Sequence, residues 1–492
     1  MTPPVSSAGR TGAEGIRVAA PRAGDDGRPS RCRCAPRAPE PDGRTKRRRL
    51  DRWSRKIGKP RASWLVAATA LCVCVPPGPS GLGSGVQVSV GDVASVLLVV
   101  VAGCWALLRR WRLAPVVLLA FGPLVAALTV STICSQDVAA SLPGYVRVVQ
   151  IFVLVPLAVV VALRDRRDVA VVAGAVVVVG VAEAGYGVWQ AVTRTGASFE
   201  GRNVRAVGTF GATDVMAMAT VAGFAVFVVV AIILSRPGRA RAVAFAALAV
   251  LAAGLLLSLS RGSWIAVGAG VLIMLVWFDL RVALRTALCV AAAAVVLVGG
   301  LGVGSESIAS RTRSIAASVD DPDQSVNDRY SLWGTATAIW GDHPVTGVGV
   351  KNFPAFRDTY APIQLSGASE TDDPVNGYLR QPLLSPHNQY LLVLSEQGVL
   401  GLTGFLLLFA LVLRGLWAGR AAKDMAWLAA VGFTGGLMIN FGYSDLGGPT
   451  CVLTSIMLGL AAARALNWER VRPAASTAPA GKGTAGAPVT AP

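Results

Sequence analysis

The side chains able to do chemistry in this sequence are few and unevenly placed. Only two histidines occur among 492 residues. His387 stands in PHNQYLLVLSEQG, where a polar loop gives way to an apolar run. An imidazole at a membrane surface, with an ordinary pKa near 6.5, suits a general base. His343, in GDHPVTGVG, reads as a turn residue before proline. Asn388 follows His387 directly, and Glu396 lies nine residues on, inside the apolar run. On an unbroken helix Glu396 would sit about 13 Å further along and on the opposite face, which points to capping, or to pairing with an arginine such as Arg261. Arg261, in LSLSRGSWIAVG, lies on a tight connection between two apolar segments, and Arg329 opens the stretch NDRYSLW. A guanidinium clamps two phosphate oxygens with a planar fork, so both are candidate anion ligands. The plain alternatives are an arginine snorkelling to headgroups and a solvated loop arginine paired with Asp328 or Asp323. Arg202 and Arg205, in EGRNVRAVGTFG, would extend a phosphate or sugar surface. The acidic run Asp320–Asp323 lacks the strand context of a metal-dependent sugar-nucleotide site, and no HExxH, P-loop or GxSxG pattern occurs. No metal and no cofactor is therefore expected.

The elements that must position these residues are membrane helices. With 53% hydrophobic residues the chain is too apolar for a soluble globular protein. Twelve apolar segments are expected as spans, at about 63–77, 88–108, 113–133, 145–163, 168–190, 212–234, 241–259, 262–279, 283–303, 389–413, 425–441 and 449–466. The division is a basic, disordered tail over 1–62, nine spans within 63–303, one large loop over 304–388, three spans within 389–466 and a second disordered tail over 467–492. Arginines follow every even-numbered span, which places both termini in the cytoplasm and the large loop outside. Arg147, at the start of the fourth span on the charge-poor side, reads as an interfacial anchor. Within the loop, Asn327–Trp340 has helical spacing with Tyr330, Trp333, Thr337 and Trp340 on one face, so the loop is expected to be folded and to cover a cavity.

The net charge of +18 is concentrated rather than spread. Residues 1–62 carry 17 Lys or Arg against 6 Asp or Glu. A basic run beside a first span fixes orientation and meets anionic membrane lipids; without an accompanying fold or aromatic interleaving it is no argument for nucleic acid. More than sixty polar residues precede the first apolar run, so insertion through an uncleaved first helix is expected. The cysteines in apolar segments read as small packing residues, and the isolated CRC at Cys32 and Cys34 is too close to make a zinc site.

The order Ser260-Arg261-Gly262, then NDRY with a following Trp, then HP followed by GVGVKNF, then HNQYLLVLSEQGVLGL resembles the O-antigen ligase and polymerase family of bacterial polysaccharide assembly. The resemblance covers most of residues 190–460 and is strongest from Trp333 to Gly401. It implies an all-α, GT-C-like polytopic protein: a metal-independent inverting glycosyltransferase working at the outer face of the cytoplasmic membrane. The donor would be a glycan on a polyprenyl diphosphate, and the acceptor a hydroxyl of a glycan, glycolipid or other molecule. Arg261 and Arg329 would hold the diphosphate, and His387 would orient or deprotonate the acceptor. Tyr330, Asn388, Glu396, Arg202 and Arg205 would contact substrate. Where many relatives have GTFGNPN this chain has GTFGATD, Gly208 to Asp214, without either asparagine. Ligase and polymerase differ only in acceptor. A transporter or flippase of lipid-linked glycan is the rival of another class; it would put ionisable residues at mid-membrane and discontinuous helices in paired halves. A non-catalytic membrane scaffold is the third reading.

Overall fold

The computed structural model describes residues 61–75, 89–110, 113–199, 201–294, 324–374 and 377–466, all within the unit Lys59–Pro492. The two expected disordered tails, the CRC cysteines and the acidic run Asp320–Asp323 lie outside the described residues, apart from the last two positions of the first tail. Each of the twelve apolar segments carries a helix: α1 (Ala62–Cys72), α2 (Val90–Leu108), α3 (Pro115–Ile133), α4 (Val138–Ala162), α5 (Arg166–Thr193), α6 (Ala217–Ser235), α7 (Arg239–Leu257), α8 (Arg261–Phe278) and α9 (Leu280–Ala294), then, after the large loop, α12 (Gln389–Ala418), α13 (Met425–Asn440) and α14 (Cys451–Leu466). Nine helices among the described residues are long and apolar enough to cross a membrane, and the chain is a helical multi-pass membrane protein. The exceptions are α1 and α13, which are shorter, and α9, which stops at the edge of the described residues. Between α9 and α12 the loop folds as α10 (Gln324–Asp342) and α11 (Phe353–Tyr360). Two antiparallel hairpins, β1 (Ala197–Phe199) with β2 (Arg202–Arg205) and β3 (Ala368–Asp373) with β4 (Gly377–Pro382), add strand that the purely helical expectation lacked.

Helix packing uses small residues, as it must where lipid and side chains are equally apolar. The Phe227 ring of α6 fills a hollow made by Gly270 of α8 with Gly432 and Gly436 of α13; a Cβ at Gly436 would meet it at 2.5 Å. α4 starts well before the expected position and carries a π-helical turn at Gln150–Leu154. Arg147 is accordingly inside a helix rather than at its lip. It pairs with Asp92 of α2 at 2.5 Å, and Gln150 donates to Ser95 of α2 at 2.7 Å. Asp92 also completes a capping box with Ser89. The expected interfacial anchor is thus an interhelical ion pair. Asp92→Asn should lower the stability of the detergent-solubilised protein by about 1–3 kcal/mol, between an exposed pair and a buried one, as read by thermal unfolding.

The decisive irregularity is in α12. Gly398 has φ 62°, ψ −163°, and the helix breaks there. The backbone groups freed by the break are taken by the loop: Val399 and Leu400 N–H donate to the carbonyls of Pro344 and Val345 (2.9 and 3.3 Å). In return, Val348 and Gly349 N–H donate to Ser395 and Glu396 (3.1 and 2.8 Å), and Ser131 of α3 donates to the Glu396 carbonyl at 3.0 Å. Val399–Ala418 alone spans about 30 Å, enough for the hydrocarbon core. The break lies beyond Glu396, so Gln389–Gln397 is itself continuous helix and Glu396 stands near its end. Its carboxylate accepts from the Phe353 N–H at the start of α11, 3.1 Å away.

The loop has its own small core of Leu332, Ala336, Ile339, Val348, Phe353 and Leu383. The face of α10 turned inward is Asp328, Leu332, Thr335, Ala336 and Ile339. The face that carries the aromatic stripe lies outside this core: Tyr330 and Thr337 are exposed, Trp333 and Trp340 half-buried. Alternating aliphatic residues one position off that stripe fill the core better than bulky indoles, which lie across its edge.

Candidate active site

Arg261 is the first helical residue of α8. Ser260 ends an extended approach and its carbonyl accepts from Trp264 N–H at 3.1 Å, while the Trp264 indole donates back to Leu255 at 2.7 Å and pins the tight α7–α8 connection. That connection turns through Leu259 in the left-handed region, φ 53°. The N-terminal end of an 18-residue helix carries partial positive charge, beside which a guanidinium makes an anion site. Arg205 of β2 bonds the same connection, Nε to the Ser258 carbonyl at 2.8 Å.

These elements enclose a cavity of about 220 Å³ whose walls include Arg205, Arg261, Arg329, Asp373, Gln381 and Tyr443. Among the described lining residues, three arginines against one carboxylate leave net +2. Tyr443 donates its hydroxyl to the Gly262 carbonyl, and burial pushes its phenol up from the ordinary tyrosine value. The β3–β4 hairpin closes the loop side through two bonds: the Ser198 N–H donates to Asp373 at 2.7 Å, and Gln381 donates to the Thr213 carbonyl at 2.7 Å. The GTFG segment beneath is held from α5, where Glu183 accepts from the N–H and hydroxyl of Thr209 (2.9 and 2.7 Å) and Gln190 from the N–H of Gly208 at 2.8 Å. The departures that follow are accommodated individually. Ala212 lines the cavity, Thr213 offers its carbonyl, and Asp214 packs against Gly448, where burial raises its pKa.

His387 is beside this cavity rather than in its wall. Its backbone is left-handed, φ 47°, and its Nδ1 lies 3.5 Å from Asp445. Two ties fix it near the wall: Trp333, one turn beyond Arg329 on α10, donates to the Pro386 carbonyl at 2.9 Å, and Asp445 is two residues from Tyr443. Asn388 caps α12, accepting from Leu391 N–H at 3.1 Å and donating to Gly442 at 2.8 Å. The structure thus brings together Arg205, Arg261 and Arg329 and sets His387 and Asn388 next to them. Arg202 is exposed at the β1–β2 turn, Tyr330 is half exposed against Trp333 with ring centroids 5.5 Å apart, and Glu396 is engaged with α11; none of these lines the cavity.

Four residues escaped the sequence reading. Tyr443 and Asp445, in FGYSDLGG, carried a signal: ionisable groups in a glycine-punctuated connection on the same side as the loop. Asp373 and Gln381 carried none, because only the hairpin pairing brings them over α8. Burial opposes the charge of Asp445, but the hydrogen bond and charge of His387 outweigh it and hold the carboxyl below its usual range. A carboxyl depressed in the folded state stabilises above its unfolded pKa, near 3.9, and that contribution is lost as pH falls through the lower folded value. Asp445→Asn should therefore be less stable than the parent at neutral pH, the gap narrowing below about pH 4 in thermal-shift measurements.

The model of the O-antigen ligase family matches residues 246–406, a stretch that carries Arg261, Arg329, Asp373, His387 and the Gly398 break. No curated protein matches the chain.

Proposed function

With the O-antigen ligase match over residues 246–406 as premise, we propose that this protein transfers a glycan from a polyprenyl diphosphate to an acceptor hydroxyl at the extracytoplasmic face of the cytoplasmic membrane. The observation that carries the reading is the convergence of Arg261 and Arg329, from a helix N-terminus and from the loop, on one cavity. Charge develops on the diphosphate as its bond to the sugar breaks, and preorganised cations at a water-poor surface stabilise that charge more than the ground state. A wall of net +2 matches the two charges of a sugar diphosphate ester. Arg205 extends the cationic surface, and His387, held by Asp445, orients the acceptor at the rim. No nucleotide is required, because the diphosphate itself is the leaving group.

Transport is the weaker reading. The break in α12 is a discontinuous helix, yet its backbone groups are satisfied by Pro344–Gly349 and not turned toward a permeation path. The purified protein in detergent, given polyprenyl-diphosphate oligosaccharide and a membrane glycan extract as acceptor, should release polyprenyl diphosphate together with glycosylated acceptor. A transporter needs two compartments and would leave both substrates unchanged.

A further inference from the structure

We infer that Asp373, on the β3–β4 hairpin of the loop, is the group that receives the proton of the acceptor hydroxyl. The inference rests on the proposed transfer reaction and adds a proton acceptor to it. Asp373 is the one carboxylate among the described cavity-lining residues, it is 2% exposed, and it lines the same cavity as Arg205, Arg261, Arg329 and Tyr443. One oxygen is fixed by the Ser198 N–H at 2.7 Å, so its orientation is set by backbone from a second hairpin. The other candidate base, His387, is outside the cavity wall, its Nδ1 3.5 Å from Asp445. A sugar bound with its diphosphate on the arginines therefore meets Asp373 and not the imidazole.

The step balances as follows. The acceptor O–H gives its proton to an Asp373 oxygen while a lone pair on the acceptor oxygen forms the bond to the anomeric carbon. The bond from that carbon to the diphosphate breaks, and its electron pair leaves on the diphosphate, now carrying a third charge opposite the guanidinium groups. Asp373 afterwards returns the proton to the departing diphosphate or to water. Asp373 lies on the β3–β4 hairpin, so the base and the leaving-group ligands come from separate elements.

The test uses the full chain in detergent, the host's polyprenyl-diphosphate oligosaccharide as donor, its membrane glycan extract as acceptor, and farnesyl diphosphate as a binding probe. Asparagine still accepts from the Ser198 N–H, so Asp373→Asn removes the charge and keeps the docking. Its kcat should fall about 10²- to 10⁴-fold, with farnesyl diphosphate bound as tightly as by the parent or tighter. The parent's rate should fall with unit slope as acid protonates the carboxylate, the slope should be absent from the residual rate of Asp373→Asn, and Asp373→Glu should recover part of kcat. Asp373→Asn with parental kcat and pH profile, alongside a working parent, overturns the inference and leaves the transfer reaction standing. A parent that binds farnesyl diphosphate but turns over no donor overturns the transfer reaction, and the inference with it.

Discussion

Replacing Arg261 or Arg329 with alanine should lower glycan transfer about 10²- to 10³-fold, the loss expected when one preorganised partner of a developing anion is removed. The effect should fall mainly on kcat, since the extra charge on the diphosphate exists only as the bond breaks. Lysine restores the charge without the planar fork and should recover a fraction of the activity at either position. Arg202→Ala is the internal comparison: that side chain is exposed at the β1–β2 turn, outside the cavity wall, and the variant should retain transfer within a factor of a few. Activity is read as polyprenyl diphosphate released per unit of folded protein. Parental rates from Arg261→Ala and Arg329→Ala would remove the basis for the assignment.

Gly398→Ala should damage the fold more than any other single methyl addition to α12. Its φ 62°, ψ −163° lies in a region open essentially to glycine, which costs another residue about 1–3 kcal/mol before any collision. The collision is severe as well, because a Cβ there would lie 2.2 Å from the Val345 carbonyl oxygen. Backbone cannot move aside as a side chain can. The loop must retreat, and Val399 and Leu400 lose their acceptors inside the protein. The expected result is a strongly lowered unfolding temperature or failure to accumulate in the membrane. Gly174→Ala, on α5 with nothing within 4 Å of the added atom, should be tolerated, and equal behaviour of the two variants would contradict the account of the break.

What could be read from the sequence follows the physics each signal reports. Apolar length marks spans, so helices were placed in all twelve segments, and motif order marked the family resemblance. Arg261 could be named because it is a guanidinium on a tight, charge-poor connection, and Arg329 because it opens NDRYSLW in the large loop. Pairing across space left less trace. Arg147 looked like an anchor because nothing in its own segment reveals Asp92, 55 positions earlier. Helical spacing grouped Tyr330, Trp333, Thr337 and Trp340 on one face of α10 but did not say which face turns inward, since aromatic residues mark an interface as readily as a core. Asp373 was invisible for a stronger reason: SETDDPVNG is a polar hairpin like many others, and its chemistry comes from what it is folded over.

The break at Gly398 also bears on how the protein is made. Pro344 to Gly349 precede α12 in the chain, so they leave the ribosome before the helix they complete. When Val399 and Leu400 are added to the chain, their acceptors have already been synthesised. A protein shortened to end within the loop lacks the carbonyls of Ser395 and Glu396 to which Val348 and Gly349 donate, because those carbonyls come later in the chain. Synthesis order and site assembly are therefore one sequence of events, with the loop waiting for its helix.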